Sequence, residues 1–475
     1  MSTLNTNRQH LPWYTVLILL LGGSLLACTL APASAPPTLS PRQTATPMPT
    51  IGYATIAPQS LPALASPPAP TQPMASTNPG VAPLMNLVDA TQLMIHVRAL
   101  TEFYTRHVNS SSTNPNRGIG AARTYIKSQF DQIAAQSQGR TTVFEQSFDL
   151  EWAGERTTQQ NIVAVIRGTQ PGAGTVIIGA HYDSRGDDDT DGNAYAPGAN
   201  DNATGVSAII EMTRILSQQS HRATIVFVAF SAEEVGRQGS IIFVNDYVRR
   251  NNIDVKAYIN VDAIGSQTYA NGAVNDSQIR VFSQGPNNAS VSRQLARMAE
   301  MAALNYVPQM EVVVQDAFDR RGRYGDHFSF QEAGYPALRF IEMAENTSLV
   351  DTTDTIEGIT PSYFARSVQT LIAVVKVMAD GPPPPANVSL RDNGNGTQTL
   401  VWTASPGAAD YVVALRAPNA LIYQQFDIPA TSVTWDGFAA YAAVAVAAKD
   451  ENGLMGMFSP EITIQPETEE VTISN

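Results

Sequence analysis

The sequence predicts an α/β domain built on a mainly parallel, mixed sheet sandwiched by helices, followed by a small all-β sandwich. Three observations carry that prediction. Short, continuous apolar runs alternate with helical patterns from about residue 143 to residue 379, as strands covered on both faces require. Several runs end directly on His, Asp or Glu: Val176–Ala180 on His181, Ile225–Phe230 on Ser231-Ala232-Glu233-Glu234, and the run before Asn260-Val261 on Asp262. Beyond Pro382-Pro383-Pro384-Pro385 the helical patterns give way to short strands separated by turn signals.

The elements follow in chain order. Residues 1–27 read as an export signal: Arg8 gives a positive start, Tyr14–Leu21 is an apolar core, and Leu25-Leu26-Ala27 precedes Cys28. Leu-Leu-Ala-Cys resembles the bacterial lipobox, and Cys28, the one cysteine of 475 residues, stands where lipidation needs it. The expectation is an exported chain held to a membrane surface by acyl groups on Cys28. Residues 28–83 are rich in Pro, Thr, Ser and Ala. They are too poor in large apolar groups to offset their ordering entropy, and read as a tether.

The catalytic-type domain is expected over 84–380. Asp89 caps a first helix, a second covers about 121–135, and strands follow at 143–150, 161–166 and 176–180. Val206, Ile209, Ile210, Met212, Ile215 and Leu216 give the helix 202–218 its apolar face. Strands at 225–230, 257–261, 279–283, 311–314 and 337–341 alternate with helices 239–250, 291–304 and 361–379. Residues 381–385 form a proline hinge, 386–466 the β sandwich and 467–475 a tail. The sandwich resembles a fibronectin type III module, with Trp402 and Tyr411 as core aromatics, and is expected to be a passive spacer or docking domain.

The bulk numbers narrow the function. A net charge of −13 lacks the basic surface that nucleic acid requires, so no such partner is expected. One cysteine excludes a CxxC redox pair and a cysteine zinc cage. A metal site must then use His, Asp and Glu. His181, Asp201, Glu233, Glu234, Asp262 and His327 are the candidates, three of the groups at the carboxyl ends of strands, where α/β sheets place their sites. Imidazole and carboxylate donors in hydrolases hold zinc with a position open for water, and two zincs can share a carboxylate and a water. The chain lacks the H-E-x-x-H and G-x-S-x-G patterns of other hydrolase classes. His96, His107 and His221 have no partner motifs and read as surface residues. Asp187-Asp188-Asp189-Thr190-Asp191-Gly192 opens like a calcium loop, but Gly198 stands where the closing Glu belongs, so an acidic rim is the better reading and calcium the lesser.

Five segments in order then meet a known family. His181-Tyr182-Asp183-Ser184, Gly198–Gly205, Ala232–Ser240, Asn260–Gly265 and Gly325-Asp326-His327 closely resemble the di-zinc aminopeptidases of the aminopeptidase Y and bacterial leucyl aminopeptidase type. The resemblance covers about residues 88–380. It implies two zinc ions, with Asp201 bridging, His181 and Asp262 completing one site, and Glu234 and His327 the other. Glu233 would be the general base, Asp183 would orient His181, and Tyr324 is a possible oxyanion helper, since Asp326 stands where relatives have a tyrosine. A cis peptide after the bridging aspartate is also implied, at Asp201-Asn202. The expected activity is removal of N-terminal residues from peptides. Carboxypeptidase or glutaminyl cyclase chemistry on the same scaffold, and a surface binding protein with a decayed site, are the alternatives. Oligomeric state is left open.

Overall fold

The computed structural model describes residues 78–285, 287–319, 325–345 and 351–465. The export segment, Cys28, most of the tether, Tyr324 and the tail lie outside the described residues. The helices are α1 (Ala82–Met85), α2 (Ala90–Thr101), α3 (Ile119–Gln136), α4 (Gly205–Leu216), α5 (Gln238–Phe243), α6 (Val291–Tyr306), α7 (His327–Glu332) and α8 (Pro361–Asp380). Asp89 does cap α2, accepting the Thr91 N–H at 2.8 Å.

Eight strands form the main sheet: β1 (Thr141–Trp152), β2 (Glu155–Ile166), β3 (Thr175–His181), β4 (Thr224–Phe230), β5 (Val255–Val261), β6 (Gln278–Phe282), β7 (Glu311–Val314) and β8 (Ala337–Glu342). Their order is β1-β2-β4-β3-β5-β8-β6-β7. The centre, β4-β3-β5-β8, is parallel. The β1–β2–β4 flank and the β6–β8 pair are antiparallel, so the sheet is mixed as expected. Successive side chains of a strand point to opposite faces. Val176, Ile178 and Ala180 therefore join the core under α2, α4 and α8, while Ile177 joins Val226, Val228, Phe230 and Phe243 on the other side. Both faces of β3 are sealed, which is why its sequence is an unbroken apolar run. Gly179 has no room for a side chain: a Cβ would lie 2.5 Å from the Phe230 ring and 2.6 Å from the Tyr258 hydroxyl.

The sandwich adds two antiparallel sheets. One is β13 (Ser432–Trp435), β10 (Gln398–Thr403) and β9 (Ala386–Asp392), in that order. The other is β12 (Gln424–Ile428), β11 (Asp410–Arg416), β14 (Ala443–Lys449) and β15 (Ile462–Thr463). Trp402 and Tyr411 meet edge to face inside it, with ring centroids 5.4 Å apart.

A free-standing spacer does not describe this region. Alternate residues of β11 and β14 face out of the sandwich: Val412, Ala414, Ala445 and Ala447 belong to the same core as α6 and α8. Polar contacts fasten the seam. Gln294 donates to the Ser459 carbonyl at 2.8 Å, Arg297 to the Leu421 carbonyl at 3.0 Å, and the Tyr306 hydroxyl accepts the Met455 N–H at 2.8 Å. Pro382 is buried against Gly456, where a Cβ would lie 2.0 Å from the Pro382 oxygen, so the proline run is held in place rather than left to swing.

The three histidines expected at the surface are buried, because each packs where two elements meet. His96 Nδ1 meets the Tyr125 hydroxyl at 2.7 Å, His107 Nε2 the Asp189 carbonyl at 2.9 Å, and His221 Nδ1 the Asp380 carboxylate at 2.7 Å. The acidic loop after Arg185 closes on itself: Asp188 accepts from Thr190, and Asp191 from Asn193.

Candidate metal centre

His181 is the last residue of β3, and β3 lies between β4 and β5. The residues leaving all three strands therefore converge on one end of the sheet. The His181 ring is buried. Its Nε2 faces Asp201 Oδ1 at 3.1 Å and Asp262 Oδ1 at 3.6 Å. Each of the three residues offers one donor atom within 4.8 Å of the others. His181 and Asp262 side chains are 1% and 4% exposed, whereas Asp201 is 38% exposed, so the cluster opens to solvent on the Asp201 side.

Asp183 ties two strand ends together. Its backbone carbonyl lies 3.2 Å from His181 Nδ1, closer than its carboxylate at 3.7 Å. The carboxylate instead accepts the backbone N–H groups of Glu233 and Glu234 at 3.0 and 3.1 Å. The turn that delivers these glutamates passes through Ala232 at φ +63°, and the chain leaving Asp262 passes through Ala263 at φ +55°. A left-handed alanine costs about 1–2 kcal/mol. Both are completely or almost completely buried, so the surrounding packing holds them there.

Asp201 sits in the kinked turn Ala199–Thr204, and its peptide bond to Asn202 is cis, at the position the resemblance implied. Asp354 accepts the N–H groups of both Asn200 and Asp201, the latter at 2.8 Å. Asn202 reaches across to the Val261 carbonyl at 2.9 Å, locking the turn to the end of β5. Arg106, wholly buried, donates to the carbonyls of Tyr182 and Gly198 at 2.7 and 2.9 Å and so joins the His181 loop to the Asp201 loop. Asp262 is held from behind: Arg339 on β8 grips its Oδ2 at 3.1 Å through Nε and also pairs with Asp319. That grip leaves Oδ1 turned to His181. Sequence reasoning found none of Arg106, Arg339 or Asp354, since each acts by reaching a segment far away in the chain.

The electrostatics are lopsided. Burial alone would lower the His181 ring, yet Glu233 and hydrogen bonds from the ring to Asp183, Asp201 and Asp262 outweigh it and push it well up. Burial raises Glu233 well above the carboxylate range; His181 opposes this, and Glu234, Asp326 and Asp262 add to it. Burial, with Asp201 next, pushes Glu234 up to about 7. So many carboxylates near one imidazole call for a further positive charge. One nitrogen and two carboxylate oxygens around a common point are a donor set that zinc accepts. A cation fits there.

His327 is buried as the first residue of α7. Glu234 Oε2 is paired with Arg185 Nε at 2.9 Å. α7 is set by Phe330, which stacks on Tyr258 with centroids 3.8 Å apart.

Comparison with known proteins identifies the family. Residues 161–375 match the family described as peptidase family M28. A protein of Leptosphaeria maculans named as a probable zinc metalloprotease is 31% identical over 369 residues, covering 71% of this chain and 85% of that one. The chain belongs to peptidase family M28. A second relative, named a probable zinc metalloprotease in Pyricularia oryzae, is 33% identical over 364 residues, 69% of this chain and 72% of that one. The crystal structure of the Legionella pneumophila LapA aminopeptidase shares the fold at 22% identity and a TM-score of 0.51, over 64% of this chain and 77% of that one. The M28 match begins at Asn161 and so takes in every segment that supplies the cluster.

Proposed function

We propose that this M28 chain is a zinc-dependent exopeptidase that removes N-terminal residues from peptides. The observation that carries the reading is the His181–Asp201–Asp262 cluster at the ends of β3 and β5, buried but for its Asp201 edge, with the Glu233 backbone pinned beside it by Asp183. His181, Asp201 and Asp262 would hold zinc, which supplies Lewis-acid polarisation of the scissile carbonyl. Asp183 fixes the imidazole through its carbonyl, leaving Nε2 directed at the cluster. Arg339 keeps Asp262 Oδ1 facing the same point. Glu233 takes the proton from the attacking water at its carboxylate and delivers it to the leaving amine. The half-exposed Asp201 edge is where a substrate's free amine can meet carboxylate charge.

Export and lipid attachment at Cys28 belong to the same reading and rest on the order of residues 1–28. The substrates would then be peptides outside the cytoplasm.

The test is hydrolysis of aminoacyl anilides by the wild type and by Glu233→Gln, with bound zinc measured on both. Cleavage of free-amine substrates by the wild type, and a mutant that keeps metal without turnover, support the aminopeptidase. Reaction only with N-blocked or C-terminal substrates points to carboxypeptidase or cyclase chemistry. A folded protein with no metal and no turnover would return the decayed-site alternative.

A further inference from the structure

We infer that the outer edge of β1 is a docking site for an extended polypeptide segment that alternates basic and apolar side chains, added to the main sheet as one more strand. The inference goes beyond the peptidase reading and does not depend on it.

β1 ends the sheet: β2 lies on one side and, among the described residues, no strand on the other. β1 is twelve residues long, about 40 Å, and pairs with β2 at every residue from Thr141 to Trp152 without a bulge. The opposite edge of the sheet, β7, has four residues. Edge strands are ordinarily blunted by shortness, a bulge, proline or lysine, and β1 has none of these.

The ladder fixes which groups face out. One residue beyond its end, the Arg167 N–H donates to the Arg140 carbonyl at 3.1 Å. Bonded and non-bonded pairs alternate in an antiparallel ladder. Val143, Glu145, Ser147, Asp149 and Glu151 therefore turn their N–H and C=O groups away from β2. Gln160, opposite Ser147, agrees: its carbonyl accepts the Tyr182 hydroxyl at 2.8 Å, on the side away from β1. Among the described residues no other backbone group bonds to those outward groups.

The side chains select the occupant. Glu145, Ser147, Asp149 and Glu151 are exposed on one face of the hairpin. Of the three acids, Glu151 alone has an ion-pair partner among the described residues, Arg156 at 3.2 Å. Phe144 and Phe148 are half-buried on the other face. A strand laid against β1 sets its alternate side chains beside these two rows, so the first row calls for basic groups and the second for apolar ones. A second copy of this chain does not suit the edge. Antiparallel pairing about Ser147 would set Glu145 against Asp149, and like charges directly opposite are destabilising. Residues 28–77 do not suit it either, since their one basic residue is Arg42 and prolines interrupt them throughout. Leu150 packs with Ala232 and Val235 of the turn that delivers Glu233, so a protein held on β1 lies beside the metal centre.

The experiment is fluorescence anisotropy of an N-acetylated decapeptide of alternating lysine and valine with the full chain, at physiological ionic strength, beside a glutamate–valine control. The acetyl group removes the free amine that an aminopeptidase site would hold. The lysine peptide is expected to bind with a micromolar Kd and the control not to bind. Ser147→Pro keeps every charge and removes an N–H that the β2 ladder does not use, so it should weaken binding about tenfold or more. Glu145→Lys with Asp149→Lys should weaken it roughly tenfold to hundredfold. Both variants should keep the circular dichroism, the melting temperature and the anilide hydrolysis of the wild type. No binding of the lysine peptide would overturn the inference. Binding by Ser147→Pro equal to wild type would reduce the contact to charge attraction without an added strand and overturn it as well. A wild-type dimer that Ser147→Pro makes monomeric would give the edge to a second copy and also overturn it.

Discussion

Two buried polar regions of this chain use the same residue types to opposite ends. At the metal centre, Glu233, Glu234, Asp201, Asp262 and Asp326 surround one imidazole. At the seam between α6 and the sandwich, Arg297 and Arg416 meet Glu461, and the Tyr423 hydroxyl donates to the same carboxylate at 2.6 Å. The Arg297 guanidinium also lies 5.4 Å from the Tyr423 ring centroid. In the seam the one carboxylate is met by two guanidiniums and a hydroxyl, so its charge is fully answered from within the fold. The centre is unbalanced toward negative charge and is completed only by a cation. A buried cluster that satisfies itself serves folding; one left short of a charge serves binding.

That contrast can be broken from either side, and the largest effect should come from the seam. Deleting residues 386–465 strips the cover from α6 and α8 and removes Leu454, Met455 and Phe458 from the shared core. The expected product is an aggregated or unfolded chain, checked by circular dichroism and size exclusion. A soluble, active truncation would show that the seam is an accessory contact. At the centre, Glu233→Gln should cost roughly a hundredfold to ten-thousandfold in kcat, the usual worth of a general base, with the melting temperature within a few degrees of wild type. A mutant that melts far lower would mean the site's charges also hold the fold.

A single deletion in the seam ranks next. Arg297→Ala leaves the Glu461 carboxylate with Arg416 and the Tyr423 hydroxyl and should destabilise by roughly 1–3 kcal/mol in urea unfolding. Glu461→Leu, which takes the shared carboxylate from both buried guanidiniums and from the Tyr423 hydroxyl, should cost clearly more. Equal losses in the two variants would mean that packing, not charge, dominates there.

A third buried cluster offers a pH test. Burial alone would raise Asp380, but the hydrogen bond from His221 and the charge of Lys376 outweigh it and hold the carboxyl at about 2, against 3.8 ordinarily. A lowered carboxyl stabilises the fold at pH values above its unfolded pKa. That contribution is lost as pH falls toward about 2. It is worth about 2 kcal/mol by linkage. The stability gap between wild type and Asp380→Asn should therefore be constant above about pH 5 and shrink below pH 4. A gap that does not change with pH would mean the residue acts through shape alone. The smallest effect is expected for Tyr411→Phe inside the sandwich, where the hydroxyl accepts the buried Ser405 N–H at 3.1 Å. Losing that partner should cost about 1–3 kcal/mol and leave activity unchanged.

What the sequence determined by itself was the periodic part of the protein and the residues that stand at its strand ends. β3, β4, β5 and β8 are sealed on both faces, so their apolar runs are unbroken and their ends fall where His181, Glu233 and Asp262 stand. The helices α3, α6 and α8 were legible from spacing within two residues at each end. Only the tertiary structure decided which polar residues meet. His96, His107 and His221 became buried because segments remote in sequence cover them. Glu234 meets Arg185, and His327 opens a helix that Phe330 anchors on Tyr258. The proline run gained no freedom, because the sandwich beyond it shares a core with α6 and α8. Periodicity records which face of an element is buried, and that is local to the chain. The partner of a buried charge is chosen by where distant strand ends and loops come to rest, and no local pattern encodes it.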